Sequence, residues 1–324
     1  MKKVLITGGA GFIGFHLANK ISDDPKNDVT IIDDFSKGKN DKEFNALLKR
    51  RNITFHNLDL CNLEEIKEKI WRTYDQVYHL AAIVGVKYCM DNPNEVLRVN
   101  LKSVLNLLEL VKQNKCNKIL FASSCEVYAS GYDLGIIPIP TDEKVPLVIN
   151  DLFNPRLTYA ASKLIGEQLI AFNSKNNYNF VIVRYHNIFG PRQSSDYVIP
   201  AVIKRIKAKE NPFKVYGYNQ TRSFCFIDDA VYQTMLLMED SSANNEIYNV
   251  GNDKVEIKIS ELYEKLFNIL DYEAELEYIK APKGSVDRRC PDLSKIRSLK
   301  NFKPLMSFED AIKATIDWNI KNYN

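Results

Sequence analysis

Three observations predict an α/β fold, a doubly wound parallel sheet with a smaller α/β region after it. First, short apolar runs at 4–6, 29–32, 53–58, 76–82 and 118–122 alternate with helical stretches. That is the pattern of strands buried on both faces by crossover helices. Second, the opening run passes at once into Gly8-Gly9-Ala10-Gly11-Phe12-Ile13-Gly14, a glycine turn that leads into a helix. Third, an acidic residue, Asp33, closes the second run about 20 positions after that turn. Crossovers between parallel strands are right-handed, so the repetition reads as a Rossmann sheet.

Each element has a local reason. In the opening turn one glycine allows the tight reversal, one lets the backbone approach a pyrophosphate, and Gly14 permits close helix–strand packing. First-turn N–H groups and the helix dipole then favour a diphosphate. Gly8, Gly11, Phe12, Ile13 and Gly14 are therefore candidate cofactor residues. Asp33 can accept both ribose hydroxyls of NAD and would repel the extra phosphate of NADP, although Lys37 just beyond leaves NADP open. The run at 76–82 leaves through Leu80 into Ala81 and Ala82, small residues that make room for a ligand at a strand's carboxyl end, and all three are candidate cofactor residues. Positions 95–114 read as one long amphipathic helix. The strand at 118–122 runs into Ser123-Ser124-Cys125-Glu126-Val127-Tyr128. Pro138 and Pro140 then mark 131–140 as a long loop rather than a helix. Later stretches give a helix at 198–209, a strand at 246–251, a helix at 259–270 and a last helix at 307–320 capped by Ser307.

The composition narrows the class. A chain of 324 residues, 45% apolar and 26% charged, buries a sizeable core and suits a globular enzyme. The net charge of +3 with scattered lysines carries no nucleic-acid or membrane-surface signal. No apolar run approaches about 18 residues, so neither a membrane span nor a signal peptide is expected. Six cysteines show no C-x-x-C pair, and four histidines do not cluster. Reduced thiols, a cytoplasmic location and no metal site are the expectation.

A helix from Thr158 carries Tyr159 and Lys163 one turn apart on the same face. A phenol near pKa 10 is a poor base at neutral pH. An adjacent ammonium, and the positive charge of an oxidised nicotinamide, favour the phenolate. Such a tyrosinate can take the proton of a sugar hydroxyl while hydride leaves the same carbon for NAD.

These pieces, in this order, resemble an extended short-chain dehydrogenase/reductase of the nucleotide-sugar epimerase/dehydratase kind. The likeness runs from the glycine turn and Asp33 through Asp59-Leu60, His79-Leu80-Ala81-Ala82, Ser123-Ser124, Val127-Tyr128 and Tyr159-Ala160-Ala161-Ser162-Lys163. It continues with Arg184-Tyr185-His186-Asn187-Ile188-Phe189-Gly190-Pro191-Arg192, Thr221-Arg222-Ser223-Phe224, Asp228-Asp229 and Arg289-Cys290-Pro291-Asp292-Leu293-Ser294-Lys295. By that resemblance Tyr159 is the base, Lys163 holds the nicotinamide ribose, and Ser124 hydrogen-bonds the C4 oxygen. Asp59 would meet the adenine, with Leu60 beside it in the cofactor set. Asn187, Arg222 and Arg289 would hold a substrate diphosphate, and Val215 lies in a stretch similar to the family's nucleotide-base cradle, where it could equally be core. The resemblance implies a nucleotide-diphosphate sugar substrate, bound NAD and a homodimer through the helices at 95–114 and 156–175. It also implies an NAD-binding domain over 1–187, rejoined by about 217–250, and a mainly substrate-binding domain over 188–324.

The fate of the 4-keto sugar separates the readings. An epimerase comes first, and a 4,6-dehydratase, decarboxylase or C4-dehydrogenase is the alternative. Glu126 could remove the acidified C5 proton of a 4-ketone. Beside it, Cys125 is a weaker acid than the aspartate that dehydratases of the family carry. A non-catalytic NAD(H)-sensing protein on the same fold is the reading of another class, and the Tyr159/Lys163 pair speaks against it.

Overall fold

The computed structural model describes residues 1–70, 72–175, 177–281, 285–300 and 303–322. Its first half runs β1 (Lys2–Thr7), α1 (Phe12–Ile21), β2 (Asn27–Asp33), α2 (Lys42–Leu47), β3 (Ile53–Asn57), α3 (Leu63–Lys69), β4 (Tyr74–His79), α4 (Val86–Asp91), α5 (Pro93–Asn114), β5 (Cys116–Ser124), α6 (Ala129–Asp133), α7 (Thr158–Asn173) and β6 (Asn179–Tyr185). The chain continues with β7 (Ile188–Phe189), α8 (Val198–Lys207), β8 (Phe213–Tyr216), β9 (Thr221–Ser223), β10 (Cys225–Phe226), α9 (Ile227–Glu239), β11 (Glu246–Val250), β12 (Glu256–Lys258), α10 (Ile259–Leu270), β13 (Leu276–Ile279), β14 (Arg288–Arg289), α11 (Ser294–Leu299) and α12 (Phe308–Asn322).

Seven strands form the central sheet in the order β11-β6-β5-β4-β1-β2-β3. β1 pairs in parallel with both β2 and β4, β2 with β3, and β4 with β5. The chain lays β2 and β3 on one side of β1 and then crosses to β4 on the other. The switch point therefore lies at the carboxyl end of β1, where open parallel sheets bind ligands. Register aligns Thr7 with Ile32 and His79, and His79 with Phe121. Val4, Leu5, Ile6, Val29, Ile31 and Val77 are wholly enclosed, which is why the strands read as unbroken apolar runs. Leu5, Val77, Ile119, Phe121 and Ile182 of the strands pack with Val104, Leu107 and Val111 of α5 and Ile170 of α7. Enclosing each such side chain stabilises the fold by about 1.5–3 kcal/mol relative to exposure.

The chain divides into two compact units. The first comprises Met1–Ser130, Leu147–Arg184 and Val231–Tyr248; the second comprises Gly131–Pro146, Tyr185–Ala230 and Asn249–Asn324. Within the second, β9 lies between β12 and β14, and β8 pairs in parallel with β13. One expectation changes: the loop expected over 131–140 opens inside a short helix, α6. Gly131 permits it because Ile137 folds back on to the glycine, where a Cβ would lie 2.9 Å from the isoleucine side chain. Among the described residues no helix is long and apolar enough to cross a membrane.

Candidate active site

The glycine turn after β1 is shaped by contacts that leave no room for side chains. Gly8 sits at φ +73°, and a Cβ there would lie 2.7 Å from the backbone nitrogen of Ala81. A Cβ on Gly14 would lie 2.1 Å from the Gly8 carbonyl oxygen, so α1 rests directly on the turn. Gly11 differs. Its Cβ would meet a single neighbour, the Gly8 carbonyl oxygen at 3.1 Å, with open space otherwise. Gly11 is also the N-cap of α1, which has no side-chain cap and no acidic residue in its first turn. Phe12 and Ile13 open that turn half-buried. Orphan N–H groups facing open space beside glycines fit the pyrophosphate of a dinucleotide.

Asp33 ends β2 beside this turn. One carboxylate oxygen accepts the N–H of Ala10 at 2.9 Å and the other that of Phe35 at 2.8 Å. Burial pushes its pKa up, against the lowering pull of those two N–H groups. A carboxylate has about four acceptor sites, so capacity beyond these backbone N–H groups remains for a ribose hydroxyl. Asp59 is exposed just after β3 and accepts the N–H of Cys61 at 2.7 Å, while the Leu60 carbonyl takes a hydrogen bond from Asn106 of α5. Leu80, Ala81 and Ala82 lie beyond the end of β4, half-buried against the glycine turn. Together these groups present the turn, the ribose acceptor and the strand exit that NAD requires, and NAD fits them.

Tyr159 and Lys163 project from the first turns of α7 on one face. The tyrosine ring is half-buried against the cluster of Ile83, Cys89 and Val96. Lys163 is only 3% exposed; its ammonium lies 5.0 Å from the ring centre of Phe121 and 5.7 Å from that of Tyr159. Burial drives the lysine pKa down to about 7, and the Glu167 carboxylate one turn on opposes that shift. His79, stacked on Phe121, is pushed down to about 3 by burial and by the Lys163 charge. It is therefore a neutral imidazole at physiological pH, and its Nδ1 pairs with the Thr7 hydroxyl at 2.8 Å.

Ser124 ends β5 and caps the turn that follows, accepting the Glu126 N–H at 3.2 Å. Glu126 is half-buried in that turn. Its carboxylate raises the pKa of the Cys89 thiol, which burial raises most and Lys37 lowers. Lys37 in turn lies 3.9 Å over the ring of Tyr88. The first unit thus gathers Tyr159, Lys163, Ser124 and Glu126 at the carboxyl end of one sheet. Sequence reasoning assigned no role to His79, Glu167 or Arg184. Their signal was present: polar residues inside otherwise apolar strand and helix faces.

In the second unit, Arg222 on β9 and Arg289 on β14 are register partners on adjacent parallel strands. The Arg222 guanidinium donates to the carbonyls of Thr221, Val286 and Asp287 and to the Gln220 side-chain oxygen. Arg289 is buried. The register places both arginines at one level of adjacent strands, with the Arg222 guanidinium turned on to these internal acceptors. Asn187, at φ +41°, donates to the Ser223 carbonyl at 2.9 Å. Val215 is wholly enclosed, and its strand turns Lys214 and Tyr216 outward instead.

A dinucleotide-binding sheet with a tyrosine–lysine helix at its carboxyl edge defines the class as a short-chain dehydrogenase/reductase enzyme. Comparison with known proteins identifies the family. Residues 4–251 match the model of the NAD dependent epimerase/dehydratase family. The chain is 33% identical to a UDP-N-acetyl-alpha-D-glucosaminuronate decarboxylase of Bacillus cytotoxicus, covering 98% of this chain and 97% of that one. It is 32% identical to a UDP-glucuronate 4-epimerase of Thermodesulfobacterium geofontis, covering 98% and 96%. A solved UDP-glucuronic acid 4-epimerase of Bacillus cereus, in complex with UDP-glucuronic acid and NAD, superposes with a TM-score of 0.86 at 27% identity, covering 98% of this chain and 99% of that one. The chain belongs to the NAD-dependent epimerase/dehydratase family, and its cofactor is NAD.

Proposed function

We propose that the protein is a UDP-sugar 4-epimerase that acts by oxidation and re-reduction at C4, with a UDP-uronate as the preferred class of substrate. The observation that carries the reading is the single face of α7 that bears Tyr159 beside the enclosed ammonium of Lys163. Bound NAD supplies a hydride acceptor at C4 and a hydride donor for the return step. Tyr159 takes the proton of the C4 hydroxyl and gives it back. Lys163 favours the phenolate and holds the cofactor ribose. Ser124 donates its hydroxyl proton to the C4 oxygen, because the lone pair facing its own turn already accepts the Glu126 N–H. Gly8, Gly11, Phe12, Ile13, Gly14, Asp33, Asp59, Leu60, Leu80, Ala81 and Ala82 bind the dinucleotide. Arg222, Arg289 and Asn187 hold the substrate diphosphate, with the Val215 strand beside the base.

Decarboxylation is the second reading, favoured by Glu126 in the turn after Ser124 and by the likeness to the Bacillus cytotoxicus decarboxylase. A 4-keto uronate loses its carboxylate readily, so a small displacement of the sugar decides between the outcomes. Proton NMR of products from UDP-glucuronate, UDP-N-acetylglucosamine and UDP-glucose tests the proposal. Inversion at C4 with all carbons retained supports epimerisation; a UDP-pentose with released carbon dioxide replaces it by decarboxylation.

A homodimer through α5 and α7 is part of the proposal. The two helices pack together, Asn100 donating to Ser162 at 3.1 Å, and leave Leu105, Ile165 and Phe172 outward at 49%, 39% and 80% exposure. Apolar side chains along two helices suit a four-helix contact with a second copy. Six enclosed free thiols support a reducing, cytoplasmic setting.

A further inference from the structure

A buried polar network joins β5, the turn that follows it, α7 and β6 in the first unit. Ser123 at the end of β5 donates to Glu167 Oε1 at 2.5 Å. Arg184 of β6 forks on to the same carboxylate, Nε to Oε1 at 2.9 Å and Nη2 to Oε2 at 2.7 Å. Its Nη1 donates to the Tyr128 hydroxyl at 2.9 Å, and the guanidinium lies 5.0 Å over the centre of that ring. Exposure is 3% for Ser123, 0% for Tyr128, 6% for Glu167 and 2% for Arg184, so all four are shut off from solvent.

An enclosed ion pair is a weak stability device, because apolar replacements of the same volume often do as well or better. What distinguishes this one is where its two ends lie. Glu167 stands one turn beyond Lys163 on α7. Tyr128 closes the turn Cys125–Tyr128, whose cap is Ser124. One end of the network therefore grips the helix of the proposed base and the other grips the turn that aims the serine and Glu126.

We propose that Glu167 and Arg184 are positioning residues for C4 oxidation: the Ser123–Glu167–Arg184–Tyr128 network locks the helix bearing Tyr159 and Lys163 to the turn bearing Ser124 and Glu126. The inference rests on the reading of Tyr159 as the base. Base and serine must meet one sugar oxygen, and a misplacement of about 1 Å costs about a hundredfold in rate. Glu167 also sets the charge beside the phenol. The groups facing Lys163 are the neutral His79 from β4, the Phe121 ring from β5, and Tyr159 and Glu167 on its own helix. Arg184 is tied to this group through the Glu167 carboxylate.

Two measurements on the NAD-loaded protein test this. One is the rate of cofactor reduction, with UDP-glucuronate, UDP-N-acetylglucosamine and UDP-glucose as probes. The other is the ionisation of Tyr159, read without sugar as the tyrosinate absorbance of each protein minus that of its Tyr159→Phe form. Tyr128→Phe removes one hydroxyl. It is expected to retain NAD, KM and the phenol titration while cofactor reduction slows about tenfold. Glu167→Gln with Arg184→Gln removes both charges together, so neither is left unpaired. There the Tyr159 ionisation is expected to move up, since Lys163 without the carboxylate loses its proton sooner. Folded variants that match wild type in both measurements, with only a lower Tm, overturn the inference. If the double variant does not fold, the Tyr128→Phe rate decides. Wild-type cofactor reduction by Tyr159→Phe itself overturns the functional reading and this inference with it.

Discussion

The glycine turn after β1 and the first turns of α7 both lie at the carboxyl end of the central sheet, yet they work in opposite ways. The turn functions through atoms it lacks: a Cβ at Gly14 would strike backbone at 2.1 Å, whereas one at Gly11 would enter largely open space. On the proposed reading the helix functions through a charge held where solvent cannot reach it, with Lys163 enclosed beside the Phe121 and Tyr159 rings. The contrast predicts that binding and the chemistry proposed for Tyr159 fail separately. Steric changes in the turn are expected to cost fold or cofactor, and loss of the Tyr159 hydroxyl on α7 to cost reaction while the cofactor stays.

The largest expected effect is on α7. Tyr159→Phe keeps bound NAD and lowers hydride transfer by about 10²–10⁴-fold, measured as reduced cofactor formed in a single turnover. Next comes the closed side of the turn. Gly14→Ala drives a methyl group into the Gly8 carbonyl and costs about 3 kcal/mol, read as a large fall in Tm with loss of NAD. Gly11→Ala sharpens the contrast. Its extended backbone, φ −71° and ψ 176°, accepts alanine, so stability stays within about 1 kcal/mol. Dinucleotide affinity nonetheless falls about tenfold by calorimetry, because the methyl group occupies the face left for the pyrophosphate.

A further effect, read in pH dependence, concerns Lys163 in the cofactor-free protein. Its folded pKa, about 7, lies below the ordinary lysine value of 10.5. Between those values the unfolded chain holds the extra proton, so this group makes stability rise with pH across that window. At pH below about 7 both states carry the charge and the burial cost is undiminished. Lys163→Met removes that part of the rise; urea midpoints of both proteins at about pH 7 and about pH 9 check the sign.

Much of the sheet was legible because buried parallel strands are written as continuous apolar runs, and the glycine turn and Asp33 announce the switch point directly. The tyrosine and lysine were legible for a related reason, since helical spacing alone places them on one face. What stayed hidden depends on contacts distant in sequence. Glu167 and Arg184 sit on different elements, and only folding makes them a pair. Arg222 and Arg289 are brought side by side by the β9–β14 register, which no local pattern encodes. Val215 shows the reverse limit: alternation on β8 marks an enclosed side chain but not whether a nucleotide lies beyond it. The short helix α6 was obscured by Gly131, whose missing Cβ serves the packing of Ile137 rather than a loop.

The central claim is that hydride leaves C4 of the sugar for NAD and returns to the same carbon under the control of Tyr159. Mass and NMR analysis of product made in light water from UDP-glucuronate deuterated at C4 tests it most directly. Retention of deuterium at C4 is the result expected, whether the product is epimerised or decarboxylated. Product formed with that deuterium exchanged for solvent hydrogen would contradict it.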